Sequence, residues 1–286
     1  MVFSDTESPM RSANEKVIAI TGAGSGIGRA LALHLAEKGA HVALSDINEV
    51  GLAETVSMLG TSPGRVTSQR LDVSDKSGVF AWAEQVEADH GVVHGIINNA
   101  GVSLSSTVAN MSYEDLEWVM NINFWGVIHG TKAFLPKILS AGEGSVVNIS
   151  SIFGIVGIPS QSAYNAAKFA VRGFTEALRQ ELLGTGVYAL SVHPGGIKTN
   201  IVNNGRHKED ASGRPVTTEK LGRQFDKMAQ TTPSKAAQII VRAMLQERGR
   251  VLVGTDAVWM DRMQRTFPED YAAITRRIAQ MPGNRK

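Results

Sequence analysis

Residues 16–38 read K-V-I-A-I-T-G-A-G-S-G-I-G-R-A-L-A-L-H-L-A-E-K. The run 16–20 is short, continuous and apolar, as expected of a strand buried on both faces of a parallel sheet. Residues 29–38 place apolar side chains at helical spacing, and Gly39 closes them. Between the two lies a glycine turn. Strand, glycine turn and helix together cradle phosphate: glycines let the backbone come close to a pyrophosphate, and a helix N-terminus offers free N–H groups and a positive dipole end. The usual spacing G-x-G-x-x-G is not met, because position 27 is Ile27. The glycines that fit a pattern are Gly22, Gly26 and Gly28, spaced G-x-x-x-G-x-G. A glycine-rich turn is often only a turn; its flanks favour the phosphate reading here.

Working outward, H-V-A-L-S (41–45) reads as a second strand ended by Asp46, 18 residues past Gly28. A carboxylate near this spacing accepts from both ribose hydroxyls and repels a 2′-phosphate. No Lys or Arg lies between Asp46 and Ser57, and Ser25 in the turn is uncharged, so NAD is favoured over NADP. The competing reading makes Asp46 a cap for the helix that begins near Asn48.

The same alternation continues along the chain. Residues 49–59 read as helix, 65–71 as a strand followed by Asp72-Val73, and 74–89 as an amphipathic helix with Ser74 as N-cap. Residues 95–97 read as a strand leading into N-N-A-G (98–101), a tight turn on spacing alone. A capping box at 112–115 opens one long helix to about Leu139, with Asn123 inside it. An Asn in mid-helix is mildly unfavourable and more often exposed than functional. A strand at 144–150 ends at Ser150-Ser151, helix 161–183 follows, and strand 187–192 is stopped by H-P-G-G. After a polar stretch at 203–232 come helix 233–248, a last strand 250–253 and further helix over 257–279. This predicts an α/β fold: a Rossmann-type, doubly wound parallel sheet of about seven strands, helices on both faces, and a helical C-terminal extension.

The 286 residues carry no Pro/Gly/Ser-rich linker, so one domain over 16–254 is expected, with a loose tail at 1–15 and the extension at 255–286. A hydrophobic content of 43% supports a sizeable core. A net charge of +2 argues against nucleic acid and anionic membranes as partners. The absence of cysteine removes disulfides, zinc-thiolate sites and a thiol nucleophile. The seven His show no ligand spacing, so no metal is expected. No apolar run resembles a signal or a membrane span, which makes a cytoplasmic setting the default expectation.

Chemistry gathers in S-I-F-G-I-V-G-I-P-S-Q-S-A-Y-N-A-A-K (151–168). Tyr164 and Lys168 stand four apart, hence on one helix face. A phenol with an ordinary pKa near 10 is a poor base; a nearby ammonium favours the phenolate and makes it a usable proton acceptor. Ser151 precedes on a separate element, and the loop between brings its hydroxyl back toward Tyr164. A Tyr–Lys pair of this spacing also arises by chance, with the Tyr half-buried and the Lys solvated.

Taken together, these motifs resemble the short-chain dehydrogenase/reductase family. The likeness rests on T-G-x-x-x-G-x-G at Thr21, Gly22, Gly26 and Gly28; Asp72-Val73; N-N-A-G at 98–101; Asn123 with Gly126; Ser151, thirteen residues before Tyr164; Tyr164 and Lys168; and Pro194-Gly195 with Thr199. It runs from about Lys16 to Gly254. The resemblance implies that Tyr164 exchanges a proton with the substrate oxygen and Ser151 holds that oxygen. It further implies that Lys168 keeps Tyr164 acidic and bonds the nicotinamide ribose, and that Asn123 stabilises a water linking Lys168 to solvent. For the cofactor, NAD, it implies backbone contacts at Ser25 and Ile27. Asp72 and Val73 are expected beside the adenine, and Asn99 and Gly101 near the adenine ribose and pyrophosphate. Pro194, Gly195, Ile197 and Thr199 are expected toward the nicotinamide end.

The expected substrate is a lipophilic secondary alcohol or ketone. The apolar loop 152–159 would form one wall and Ile201 with Val202 another, although these residues equally suit plain loop packing. Residues 203–232 sit where the family places a mobile lid. An NADPH-dependent 3-oxoacyl-thioester reductase is the alternative enzyme, and a redox sensor that binds NAD without turnover is the alternative outside enzymes. The family's common Asp-Gly-Gly near the last strand is absent, which puts the frequent tetramer in doubt. Helices 112–139 and 161–183 suit a four-helix dimer interface, so a homodimer or homotetramer is expected.

Overall fold

The computed structural model describes residues 10–210 and 213–274. Its central sheet is built from β1 (Val17–Thr21), β2 (His41–Asp46), β3 (Val66–Arg70), β4 (Gly95–Asn98), β6 (Gly144–Ile149), β7 (Val187–Pro194) and β9 (Arg250–Val253). They lie in the order β3-β2-β1-β4-β6-β7-β9, and every pairing is parallel. Strands β1, β4 and β6 are buried along their whole length, as expected of a parallel sheet covered on both faces. The order reverses between β1 and β4, so a crevice opens there at the carboxyl ends of the strands.

Two apolar layers flank the sheet. On one side α1 (Gly26–Glu37) and α8 (Pro233–Leu245) bury Leu31, Leu35, Ile240 and Val241 against Ile18, Ile20 and Val192. On the other, α3 (Lys76–His90), α5 (Gly126–Ala141) and α6 (Ser162–Glu181) enclose Trp82, Phe134 and Leu178, with the Trp82 and Phe134 rings edge to face at 5.1 Å. Helix α2 (Glu49–Leu59) lies beside α1. No helix among the described residues is long and apolar enough to cross a membrane.

Several expectations need correction. The loose tail does not include residues 10–15: Met10 and Ala13 are buried in the main core, because they are apolar and fill the space beside α1. Residues 1–9 and 275–286 lie outside the described part. Ser74 is not the N-cap of α3; that position is Asp75, and the Ser74 hydroxyl donates to Asp72 Oδ1 instead. The expected long helix is interrupted. Helix α4 (Tyr113–Met120) passes through a π-turn (Asn121–Trp125) into α5, and the π-turn carries Asn123 inward to complete burial. The expected helix 257–279 begins two residues earlier, as α9 (Thr255–Thr266).

Three elements in the loops escaped the sequence reading. Strand β5 (Leu104–Ser105) pairs with β8 (Arg206–His207), and α7 (Thr218–Met228) lies within the polar stretch 203–232. Two-residue strands carry no periodicity to detect.

Candidate active site

The glycine turn is shaped by close approaches that a side chain would block. Gly22 has φ +67°, and a Cβ there would stand 2.8 Å from Ala100 Cα; a Cβ on Gly28 would meet Gly22 O at 2.1 Å. Ser25 is exposed and extended at the N-terminus of α1, with Gly26 and Ile27 opening the helix. Thr199 reaches this turn, since a Cβ on Gly26 would lie 3.1 Å from its methyl group.

Asp46 closes the turn from the side. One carboxylate oxygen accepts from Gly24 N–H and the other from Asn48 N–H, both at 2.8 Å. The α2 cap belongs to Asn48, whose side chain accepts from Gly51 N–H, so capping does not explain Asp46. Asp72 accepts from the N–H and hydroxyl of Ser74 with the same oxygen, leaving the other unengaged by Ser74. Val73 is buried, and its carbonyl accepts from His129 at 3.2 Å.

N-N-A-G is more than a turn. Asn99 donates to the carbonyls of Thr21 and Gly22, bracing the end of β1 against that of β4. Asn98 donates to Thr131 and Asn148, and Asn148 to Thr175, inside the core. A Cβ on Gly101 would stand 3.1 Å from Asn123 Oδ1 and 3.5 Å from Lys168 Nζ, so the turn, the π-turn and α6 converge. Asn123 is held on both sides by Val102, accepting from its N–H and donating to its carbonyl.

Ser151, Tyr164 and Lys168 are all buried. Ser151 sits in extended backbone at the start of a 3-10 turn (Ile152–Gly154), and its hydroxyl accepts from Phe153 N–H. Its neighbour Ser150 faces away and donates to Lys168 O at 2.8 Å. Lys168 Nζ donates to Ile149 O at 2.9 Å and lies 5.7 Å from the centre of the Tyr164 ring. The Phe153 ring stands edge-on to Tyr164 at 6.0 Å.

The electrostatics reverse one expectation. Burial pushes the Tyr164 phenol up to about 12, with only its hydrogen bond to Ser151 acting the other way. Burial also brings Lys168 down to about 8. The chain by itself therefore holds Tyr164 as a neutral phenol rather than drawing it toward the phenolate, because desolvating the anion outweighs the Ser151 hydrogen bond.

Beyond Tyr164, the loop 152–159 packs largely on protein. Ile152, Ile155 and Val156 are buried against Ala257, with Leu252, Met260 and Tyr271 around them, which is the plain packing alternative for these three. Asn165 organises the loop, donating to Phe153 O and Val156 O and accepting from Ile158 N–H. Tyr271 accepts from Gly157 N–H at 2.9 Å, and Asp256 accepts from Gly196 N–H at 2.6 Å beside Pro194 and Gly195. Ile197 is buried and bridges to Thr231. Sequence reasoning missed Asn165, Asp256 and Tyr271. Only Asn165, adjacent to Tyr164, had a local signal.

On α4, Asp115 is buried and accepts from Arg206 at 3.0 Å, from Lys208 and from Ser112. Lys208 does most to hold its carboxyl below the usual range, against the effect of burial. Arg206 also lies 4.1 Å over the Trp118 ring. Glu209 accepts from Thr107 and Asn110.

A parallel sheet with a glycine turn at its switch point and a Ser–Tyr–Lys cluster at its carboxyl edge defines a dinucleotide-binding, Rossmann-type protein. Residues 16–210 match the family profile described as short chain dehydrogenase. SadH of Mycobacterium tuberculosis, provisionally named an oxidoreductase, is 46% identical over 93% of this chain and 95% of its own. The 3-oxoacyl-[acyl-carrier-protein] reductase FabG of Thermotoga maritima is 35% identical over 79% of this chain and 89% of its own. A short-chain dehydrogenase/reductase from Burkholderia phymatum, solved in complex with NAD, superposes with a TM-score of 0.82 at 30% identity, covering 90% of this chain and 95% of that one. The chain belongs to the short-chain dehydrogenase/reductase family.

Proposed function

We propose that the protein is an NAD-dependent oxidoreductase acting on a lipophilic secondary alcohol or ketone. The observation that carries this is the convergence of Ser151, Tyr164, Lys168 and Asn123 at the carboxyl edge of the sheet, beside a glycine turn closed by Asp46. A nicotinamide dinucleotide supplies hydride acceptance or donation when bound. The turn fits such a group, since the N-terminus of α1 opens at exposed Ser25 with no side-chain cap, held in shape by the packing of Gly22 on Ala100 and of Gly28 on Gly22 O.

Asp46 favours two neutral ribose hydroxyls and disfavours a 2′-phosphate by charge. Arg29, which follows the glycine turn, spends its guanidinium on the Gly24 and Gly51 carbonyls, Thr55 and Glu54, and so is already engaged. Tyr164, protonated at neutral pH, donates to a substrate carbonyl oxygen, and the Ser151 hydroxyl bonds the same oxygen. In the reverse direction the phenol must first lose its proton, and the Lys168 cation lowers that cost. Residues 203–232 act as the lid over this cleft, and Phe153 forms part of its apolar wall. Trp125 and Phe169, 48% and 42% exposed on the helical face, support a homo-oligomer.

The second reading is NADPH-dependent reduction of a 3-oxoacyl thioester. It rests on the identity to FabG and on Arg70, which pairs in register with Asp46 and approaches Glu49 at only 3.8 Å. An absorbance screen of cyclic, long-chain and steroid secondary alcohols, their ketones and acyl thioesters, each with NAD(H) and NADP(H), separates the readings. Turnover of alcohols with NAD is expected. Thioester reduction with NADPH alone would transfer the assignment to the second reading, and no turnover in any arm would favour an NAD-binding sensor.

A further inference from the structure

His193 is fully buried, ionisable in principle, and has no part in the chemistry above. It lies on β7 two residues after Ser191, so the two side chains share one face of the strand. Its Nδ1 is 3.0 Å from the Ser151 carbonyl oxygen, and its Nε2 is 3.0 Å from Ser191 Oγ. A carbonyl only accepts, so the ring proton is on Nδ1; Nε2 then accepts from the Ser191 hydroxyl. The imidazole is neutral, because burial, together with the Arg250 and Arg172 cations, brings it down to about 4 despite the Ser151 hydrogen bond and Glu176.

The backbone explains why a side chain is needed at this point. The ladder between β6 and β7 continues to Ser150 N–H, which donates to Val192 O at 2.8 Å. The next rung of a parallel ladder would run from the N–H of residue 194 to Ser150 O. That residue is Pro194, which has none. The ladder therefore ends at Ser150, and the carbonyl of the next residue, Ser151, takes its bond to β7 from the His193 side chain. The only other bond to the Ser151 carbonyl in the turn is from Gly154 N–H at 2.9 Å, and that bond moves with the turn.

We propose that His193 is a positioning residue for Ser151, tying the serine's carbonyl to β7 so that its hydroxyl stays directed at Tyr164. This rests on the reading of Ser151 as the group that holds the substrate oxygen. His193 touches neither substrate nor cofactor; it acts through Ser151.

Two substitutions separate positioning from packing. In His193→Asn the amide nitrogen takes the place of Nδ1 and keeps the bond to Ser151. In His193→Gln the amide sits where Nε2 was, keeps Ser191 and loses Ser151. Positioning predicts that H193N retains kcat within about threefold, while H193Q loses about 10- to 100-fold in kcat with NADH affinity unchanged, as expected for a displacement of about 1 Å at a reacting group. Packing alone predicts the opposite order, since Gln fills the cavity better than Asn. Crystal structures of both variants give a readout that needs no substrate: Ser151 Oγ should keep its place in H193N and shift in H193Q. Should H193Q fail to fold, His193→Leu serves, because it fills a similar volume and can donate nothing to Ser151 O; a fall in kcat like that of H193Q and a displaced Ser151 are expected. Equal kcat and an unmoved Ser151 in H193Q, or in H193L, would overturn the proposal. Ser151→Ala is the reference: its inactivity alongside a fully active H193Q sinks the positioning role alone, whereas full activity of S151A sinks the reading of Ser151 and the proposal with it.

Discussion

The turn from Ser150 to Gly154, beside Tyr164, and the stretch from Arg206 to Glu209, in the proposed lid, are held by opposite means. The first is fastened by buried bonds to α6, 18 or 19 residues away in sequence: Ser150 to Lys168 O, which is neutral, and Lys168 Nζ to the neighbouring Ile149 O. The second is fastened by charge over long separations: Arg206 and Lys208 to Asp115, 91 and 93 residues apart, and Glu209 to Thr107. A buried neutral bond such as Ser150 to Lys168 O is indifferent to salt and pH, whereas half-exposed ion pairs weaken with both. On the proposed function, the difference gives rigidity to the inner shelf, where atoms must stay aligned, and releasable contacts to the proposed lid.

This contrast is open to attack, beginning where the largest effect is expected. Gly28→Ala places a Cβ 2.1 Å from Gly22 O, in the tightly packed glycine turn. It should weaken NADH binding by about 100-fold, the upper range for overpacking, as read by fluorescence titration. Asp46→Ser should shift the NADPH-to-NADH ratio of kcat/KM toward NADPH by about tenfold or more, since a repelling charge is gone. An unchanged ratio would show that Asp46 does not read the ribose.

At the proposed lid, Asp115→Asn should raise substrate KM and speed proteolytic cleavage within 203–232 by about tenfold, matching about 1–2 kcal/mol of lost charged hydrogen bonding, while NADH affinity stays put. Acid should do the same to the native protein. Asp115 has a lowered pKa when folded, so its contribution is complete above the ordinary carboxylate pKa and is lost as pH falls through the folded value. Cleavage that ignores both the substitution and the pH would erase the contrast. The smallest effect belongs to Tyr271→Phe, which removes one exposed bond to Gly157 N–H and should alter KM by no more than about threefold.

The two regions also differ in how far they could be read from the amino-acid sequence. The sheet, its order of strands and helices, the glycine turn and the Tyr164–Lys168 pair were legible, because each depends on spacing within one or two elements. Asn123 was placed only by resemblance, since nothing local announces that a π-turn will bury it. Ser112 was legible as the capping partner of Asp115, but the distant partners of Asp115 and Tyr271 were not, because a capping-box aspartate and a tail tyrosine look the same whether or not a distant segment returns to them. The direction of the Tyr164 shift was misjudged for a related reason: a neighbouring cation is visible in a sequence, and the depth of burial is not.

The account depends most on Tyr164 as the group that trades a proton with the substrate oxygen. Its direct test compares wild type and Tyr164→Phe for alcohol oxidation and ketone reduction across pH 6–10, with NADH binding followed in parallel. The account predicts that Y164F binds NADH normally and loses turnover by about 100-fold or more, and that wild-type oxidation climbs toward alkaline pH, as a phenol pushed up to about 12 requires. Turnover by Y164F within a few-fold of wild type would contradict it.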